Sequence, residues 1–191
     1  MLRQAKNTFT LAEFLAMEVI SEEKHEYYNG KISEMASATA DQSIVSVNCA
    51  VELNKYLAPM PAHIFGSGMR LLVERSGFYT YPKAMVVPGK LEFARSRNDV
   101  ITNPILIVEV LSESTRKYDR DAKFNFYKQI PSLREYILVE SEQARVECYR
   151  RTRDDQWVIE MYEDLDTVVK LESVACEIPL RQIYAKVSWL S

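Results

Sequence analysis

Histidine is scarce in this chain. Two occur among 191 residues, His25 and His63, both in strand-like contexts and without the spacing of a metal-ligand pair, so both read as structural. Cysteine is nearly as sparse and odd in number. Cys49, Cys148 and Cys176 lie far apart with no CxxC unit, which excludes a disulfide framework or a zinc site and leaves small buried apolar residues. No apolar run approaches the roughly 20 residues needed to cross a bilayer, and the opening MLRQAKNTFT lacks the apolar core of a signal peptide. The cytoplasm is therefore the expected compartment, with no membrane partner. An excess of positive charge is also missing: 24 Lys and Arg stand against 27 Asp and Glu, a formal net charge of -3. That balance argues against a broad surface for coating nucleic acid while permitting a local basic patch.

What is present fits one globular domain over residues 1–191, long enough to remove roughly two-thirds of the unfolded surface from water. TLAEFLAM, Thr10 to Met17, opens a helix: Thr10 can cap, and Glu13 three residues on can bond back. In HEYYNGKISEM, Asn29 and Gly30 suit a two-residue turn between strands near 25–28 and 31–35. Asp41 to Leu57 carries apolar residues at helical spacing and is stopped by Pro59 and Pro61. Short apolar runs follow at His63–Phe65, Met69–Val73, Met85–Val87 and Ile105–Leu111, punctuated by Gly and Pro, as in a sheet assembled from hairpins. Leu91 to Asn103 is polar and reads as an excursion at the sheet edge. Strands are expected at 135–139, 145–149 and 157–161, a helix at 116–129, and a last short helix opened by Pro179. The fold class is α/β (α+β), a mixed central β-sheet flanked by helices.

The informative stretch is PILIVEVLSESTRKYDRDAKFNFY, Pro104 to Tyr127. Its strand is apolar on both faces apart from Glu109, a carboxylate expensive to bury unless neutral, paired or bound to a cation. Asp119, Lys123 and Tyr127 follow at intervals of four on one helix face, so a lysine can swing back towards Glu109. Two bland readings stand beside this one: Glu109 as a structural ion-pair partner, and Asp119 with Lys123 as an ordinary surface pair. Arg116, Lys117 and Arg120 form a small basic group beside them, a candidate DNA contact that a solvated helix face would also produce. Arg95 and Arg97 form a second, smaller group.

YYNGKI, RLLVE, YPKAMVV, LIVEVLSESTRKYDRDAKFNFY, SLREYILV and RVECYRR, in that order, resemble the Uma-two-type restriction endonucleases, a branch of the PD-(D/E)XK nuclease superfamily. The likeness spans roughly residues 9 to 185, and EVLSxST followed by YDRxxKFxxY is its most specific part. The resemblance implies a restriction-endonuclease-like fold and a Mg²⁺-dependent phosphodiesterase acting on DNA, with a homodimer possible. It assigns Glu109 as a metal ligand and Lys123 as the lysine that positions water, since Leu111 holds the usual lysine position. Three positions depart from the pattern. Lys83 follows Pro82 where the family has the metal-binding Asp, Lys31 follows Gly30 where it has Glu, and Gln42 stands where it has His. All three changes point to impaired cleavage and doubtful Mg²⁺ binding, with Lys83 expected to satisfy Glu109 and repel the ion. The alternatives are cleavage with another acid, such as Glu26, in place of the lost Asp, and a non-catalytic nuclease-fold protein binding DNA or a partner chain.

Overall fold

The computed structural model describes residues 8–190. Helix α1, Leu11–Ile20, opens on the expected capping box, with Thr10 Oγ1 accepting from the Glu13 amide and the Glu13 side chain returning to Thr10. Strands β1, His25–Tyr28, and β2, Lys31–Glu34, form the expected hairpin. Its turn places Asn29 at φ 47° and Gly30 at φ 80°, a left-handed pair that Asn-Gly adopts at little cost. Helix α2, Ala40–Leu57, starts one residue before the sequence pattern because Thr39 caps it and the Gln42 side chain closes a second capping box. Thr39→Ala is expected to cost about 1 kcal/mol of stability, read as a lowered midpoint of urea unfolding.

The strands that follow are β3 (Ala62–Gly66), β4 (Arg70–Val73), β5 (Phe78–Thr80), β6 (Ala84–Pro88), β7 (Val100–Ile101) and β8 (Leu106–Leu111). A helical segment then runs through α3 (Arg116–Tyr118), a π-helical turn (Asp119–Lys123) and α4 (Phe124–Tyr127). Beyond it come β9 (Glu135–Glu140), β10 (Val146–Arg151), β11 (Trp157–Tyr162), β12 (Val168–Leu171), β13 (Cys176–Pro179) and α5 (Leu180–Ile183).

The strands divide among three sheets, where sequence pattern suggested one. Six form the central mixed sheet in the order β11-β10-β9-β8-β6-β3, with β8 and β9 parallel. Five form a second sheet, β2-β1-β5-β4-β7, and β12 pairs with β13. The segment 91–103 does lie at an edge, but it is not merely polar. It contributes β7, whose Val100 and Ile101 are buried and pair parallel to β4.

Every residue of β8 is buried, and its alternation decides what each face meets. Leu106, Val108 and Val110 join the core made with Val45, Cys49 and Leu53 of α2 and with β12, β13 and α5. Ile107 and Leu111 join the opposite core, with Leu71, Val73 and Phe78 of the second sheet, Tyr127, and Tyr136 of β9. Glu109 is in step with this second set, so strand geometry sends its carboxylate between the two sheets, towards the helical segment. The three cysteines are buried and free, as expected. No helix among the described residues is long and apolar enough to cross a membrane.

Candidate functional site

Glu109, Lys123, Asp119 and Glu26 meet at one end of the space between the two large sheets. All are buried, at 2%, 4%, 4% and 9% exposure respectively. The Lys123 ammonium lies 2.9 Å from Glu109 Oε1, 3.1 Å from Glu26 Oε1 and 3.5 Å from Asp119 Oδ1. Lysine has three N–H donors, and here three carboxylates stand within reach of them. The helical spacing thus placed Lys123 where expected, and the surface-pair reading fails because its amine points inward.

The π turn helps explain how 119, 123 and 127 all face the same point. In an ideal α-helix of 3.6 residues per turn, positions four apart drift by roughly 40° each step, about 80° over three residues. A wider turn between Asp119 and Lys123 takes up part of that drift. Tyr127 then donates to Glu109 Oε1 at 2.7 Å. Tyr136 OH donates to the Asp119 carbonyl at 3.1 Å, anchoring the turn from β9.

Glu26 comes from β1 in the other sheet. Thr80 Oγ1 donates to its Oε1 at 2.6 Å and Tyr118 OH to its Oε2 at 2.7 Å. These contacts drive the two glutamates apart in acidity. Burial pushes Glu26 up, but Lys123 and the hydroxyls of Thr80 and Tyr118 outweigh it and hold the carboxyl below its usual range. Burial also raises Glu109, the neighbouring Asp119 charge adds to it, and Lys123 and Tyr127 only partly offset the rise. Burial disfavours the Lys123 ammonium, yet Glu109, Glu26 and Asp119 together carry it well above the ordinary lysine range. The two carboxyls are thus shifted in opposite directions, Glu26 towards its ionised form and Glu109 towards its protonated one.

A cavity of about 270 Å³ opens beside the cluster, lined by Glu26, Gln42, Lys83, Glu109 and the Ser112–Thr115 hydroxyls among others. Glu109 Oε2 accepts no hydrogen bond from the described residues. Lys83 sits where strand pairing should put it: β6 pairs with β8 through Ala84↔Val108, and the same register carried one residue further sets Lys83 across from Glu109. Its ammonium nevertheless makes no ion pair or hydrogen bond among the described residues. This corrects the expectation that Lys83 satisfies Glu109; Lys123 and Tyr127 do so instead, because the helix delivers them directly onto that carboxylate.

Gln42 lines the same cavity, but its amide oxygen is engaged with the Thr39 backbone at 2.8 Å. The arginines of the basic group are engaged within the protein. Arg116 binds Glu140, at 2.9 Å through Nε and 2.8 Å through Nη2, while Arg120 binds Glu140 and Glu147, each at 2.7 Å. Both guanidiniums answer carboxylates buried on β9 and β10, leaving Lys117 exposed and without an ion pair among the described residues. Arg97 is likewise held by Asp99, at 2.7 and 2.6 Å. His25 serves structure, bonding Glu18 at 2.7 Å.

The residues present do not fit a divalent ion. The point where three carboxylates converge holds an ammonium, and no group of three His, Cys, Asp or Glu among the described residues is arranged to hold a metal. Thr80 gave no sequence signal as a site residue. Tyr118 stands in the YDR motif, which marked the family and not this contact.

Two proteins of Synechocystis sp. are similar along most of their length. “Uncharacterized protein sll1609” is 37% identical over 150 residues, 78% of this chain and 85% of that protein. “Uncharacterized protein slr1290” is 32% identical over 172 residues, 90% and 89% of the two chains. The fold is similar to the crystal structure of “a putative nuclease belonging to DUF820” from Anabaena variabilis, with TM-score 0.76 and 20% identity, covering 96% of this chain and 99% of that one. At that identity the likeness is one of fold. Residues 11–181 match the family model Uma2, described as “Putative restriction endonuclease”, and the chain belongs to that family.

Proposed function

We propose that this chain is a single-domain nuclease-fold protein that engages DNA, and that its PD-(D/E)XK-type site is degenerate, with phosphodiester cleavage impaired or lost. The observation that carries the reading is the Lys123 ammonium within 2.9–3.5 Å of Glu109, Glu26 and Asp119. A Mg²⁺ ion, when bound in such a fold, would activate water and stabilise the departing oxygen. Here a protein cation already takes up the carboxylates that would hold it. A second cation about 4 Å from that ammonium would be repelled by about 4 kcal/mol per unit of its charge at an effective dielectric near 20, so a divalent ion would lose several powers of ten in affinity. Lys83, at the aspartate position, adds to the repulsion.

Titration calorimetry with Mg²⁺ and Mn²⁺, alongside nicking of supercoiled plasmid, tests this. The wild type is expected to show neither saturable metal binding nor metal-dependent nicking. Lys83→Asp alone is expected to leave affinity low, since Lys123 stays in place. Mg²⁺-dependent nicking by the wild type that disappears in Glu109→Ala would overturn the reading. It would favour cleavage with Glu26 completing the site, a role its place in the same cluster would suit.

A further inference from the structure

We propose that Lys83 and Lys24 form a seat for one backbone phosphodiester of a nucleic-acid strand at the mouth of the carboxylate cavity. The proposal rests on the nucleic-acid reading above and adds to it the residues and the group they recognise. Lys83 lines two adjoining hollows. One is the cavity of about 270 Å³ beside Glu109, and the other, of about 250 Å³, is also lined by Lys24, Ser67 and Tyr81. Met35, Ala36 and Ser37 border both, so the two hollows adjoin along a wall that includes Lys83.

Lys83 is half-buried and has no ion-pair or hydrogen-bond partner among the described residues, although acids stand nearby. Those acids are taken: Glu109, Glu26 and Asp119 all answer Lys123. The second cation is fixed in place. Lys24 Nζ donates to the Ser67 carbonyl at 2.5 Å and lies 5.5 Å from the centre of the Tyr81 ring. Burial, and then the charge of Lys83, hold Lys24 below the ordinary lysine range against the pull of Glu18. Two ammoniums lining one hollow repel each other, and an anion seated there relieves both. Lysine binds a phosphate oxygen as a point charge, with no need for the planar fork of arginine.

The charge of that anion is limited by its surroundings. Glu22 and Glu23 border the outer hollow and Glu34 the inner one. They repel a dianion about twice as strongly as the single charge of a diester. The seat is therefore suited to the backbone of a strand rather than to free phosphate or a phosphomonoester.

Fluorescence anisotropy of a labelled DNA duplex, in EDTA and over a series of salt concentrations, tests the seat. The wild type is expected to bind with EDTA present. Lys83→Gln is expected to weaken binding about tenfold at low salt and to make the slope of log affinity against log salt shallower by about one, as for loss of one phosphate contact. Lys24→Gln should move both readouts the same way. Lys83→Arg should retain binding, and Lys90→Gln, at the other end of β6, should match the wild type. Urea midpoints confirm that each variant is folded.

Lys83→Gln with wild-type affinity and slope would overturn the seat while leaving nucleic-acid binding standing. A wild type that binds no duplex would overturn the seat and the reading beneath it together. Displacement of the duplex by inorganic phosphate at equal phosphate concentration would overturn the preference for a diester.

Discussion

Lys123→Met is expected to cost about 3–5 kcal/mol of stability, because it leaves three buried carboxylates around an apolar side chain. The variant's stability should also depend on pH more steeply than the wild type's between about pH 5 and 7. In the wild type, Glu26 sits below its ordinary range, so its contribution is present above the unfolded value of about 4.3 and lost as pH falls through the folded one. Glu109 sits above its range, so its contribution is present below that unfolded value and lost as pH rises through the folded one. The two slopes have opposite sign and occupy different windows, Glu26 below about 4.3 and Glu109 above it. Without the ammonium, Glu26 loses the main charge holding it down and burial raises it as well. Both glutamates then favour acid, where in the wild type only Glu109 does, and the variant should gain more stability than the wild type as pH falls from about 7 to about 5. Urea unfolding at a series of pH values reads this directly. A variant as stable as the wild type at neutral pH would mean that the ammonium does not neutralise the cluster.

Glu135→Ala should be nearly as damaging, at about 3–5 kcal/mol, and for a reason unconnected with the cavity. Glu135, on β9, has no exposed surface. It accepts from Arg150 Nε at 3.1 Å and from the Glu172 and Ser173 amides at 3.0 Å each, and from the Ser173 hydroxyl at 2.5 Å. One side chain thus ties the turn after β12 to the central sheet. Its removal strands two amides and the Nε of Arg150, whose other nitrogens keep the Lys170 carbonyl, Glu160 and Glu172. The urea midpoint should fall by on the order of 1–2 M, with proteolysis beginning in the 168–179 strand pair. A variant cleaved first elsewhere would show that this pair is held by its apolar contacts alone.

These two lysine and glutamate positions give different answers about what a sequence can say. Lys123 was legible because its spacing from Asp119 and Tyr127 is local, and a helix turns that spacing into a shared face. The capping box at Thr10, the Asn29–Gly30 turn and the two-faced burial of β8 were legible for the same reason: each depends on residues a few positions apart. The family motif pointed to Glu109, and strand alternation then fixed the direction of its carboxylate.

Only the tertiary structure decided who would meet it there. Glu26 reaches the cluster from another sheet, held by Thr80 at 54 residues' separation and by Tyr118 at 92. No local periodicity encodes such pairings, which follow from how two sheets stack. The same stacking divided the strands between sheets, and the pairing of β8 with β9 set Glu140 where Arg116 and Arg120 could be drawn off into ion pairs. Lys83 shows the boundary between the two kinds of information. Sequence and register placed it across from Glu109, but whether its charge was spent depended on Lys123 arriving at that carboxylate first. The helix, not the neighbouring strand, delivers the groups that meet this carboxylate, and both fall on its Oε1.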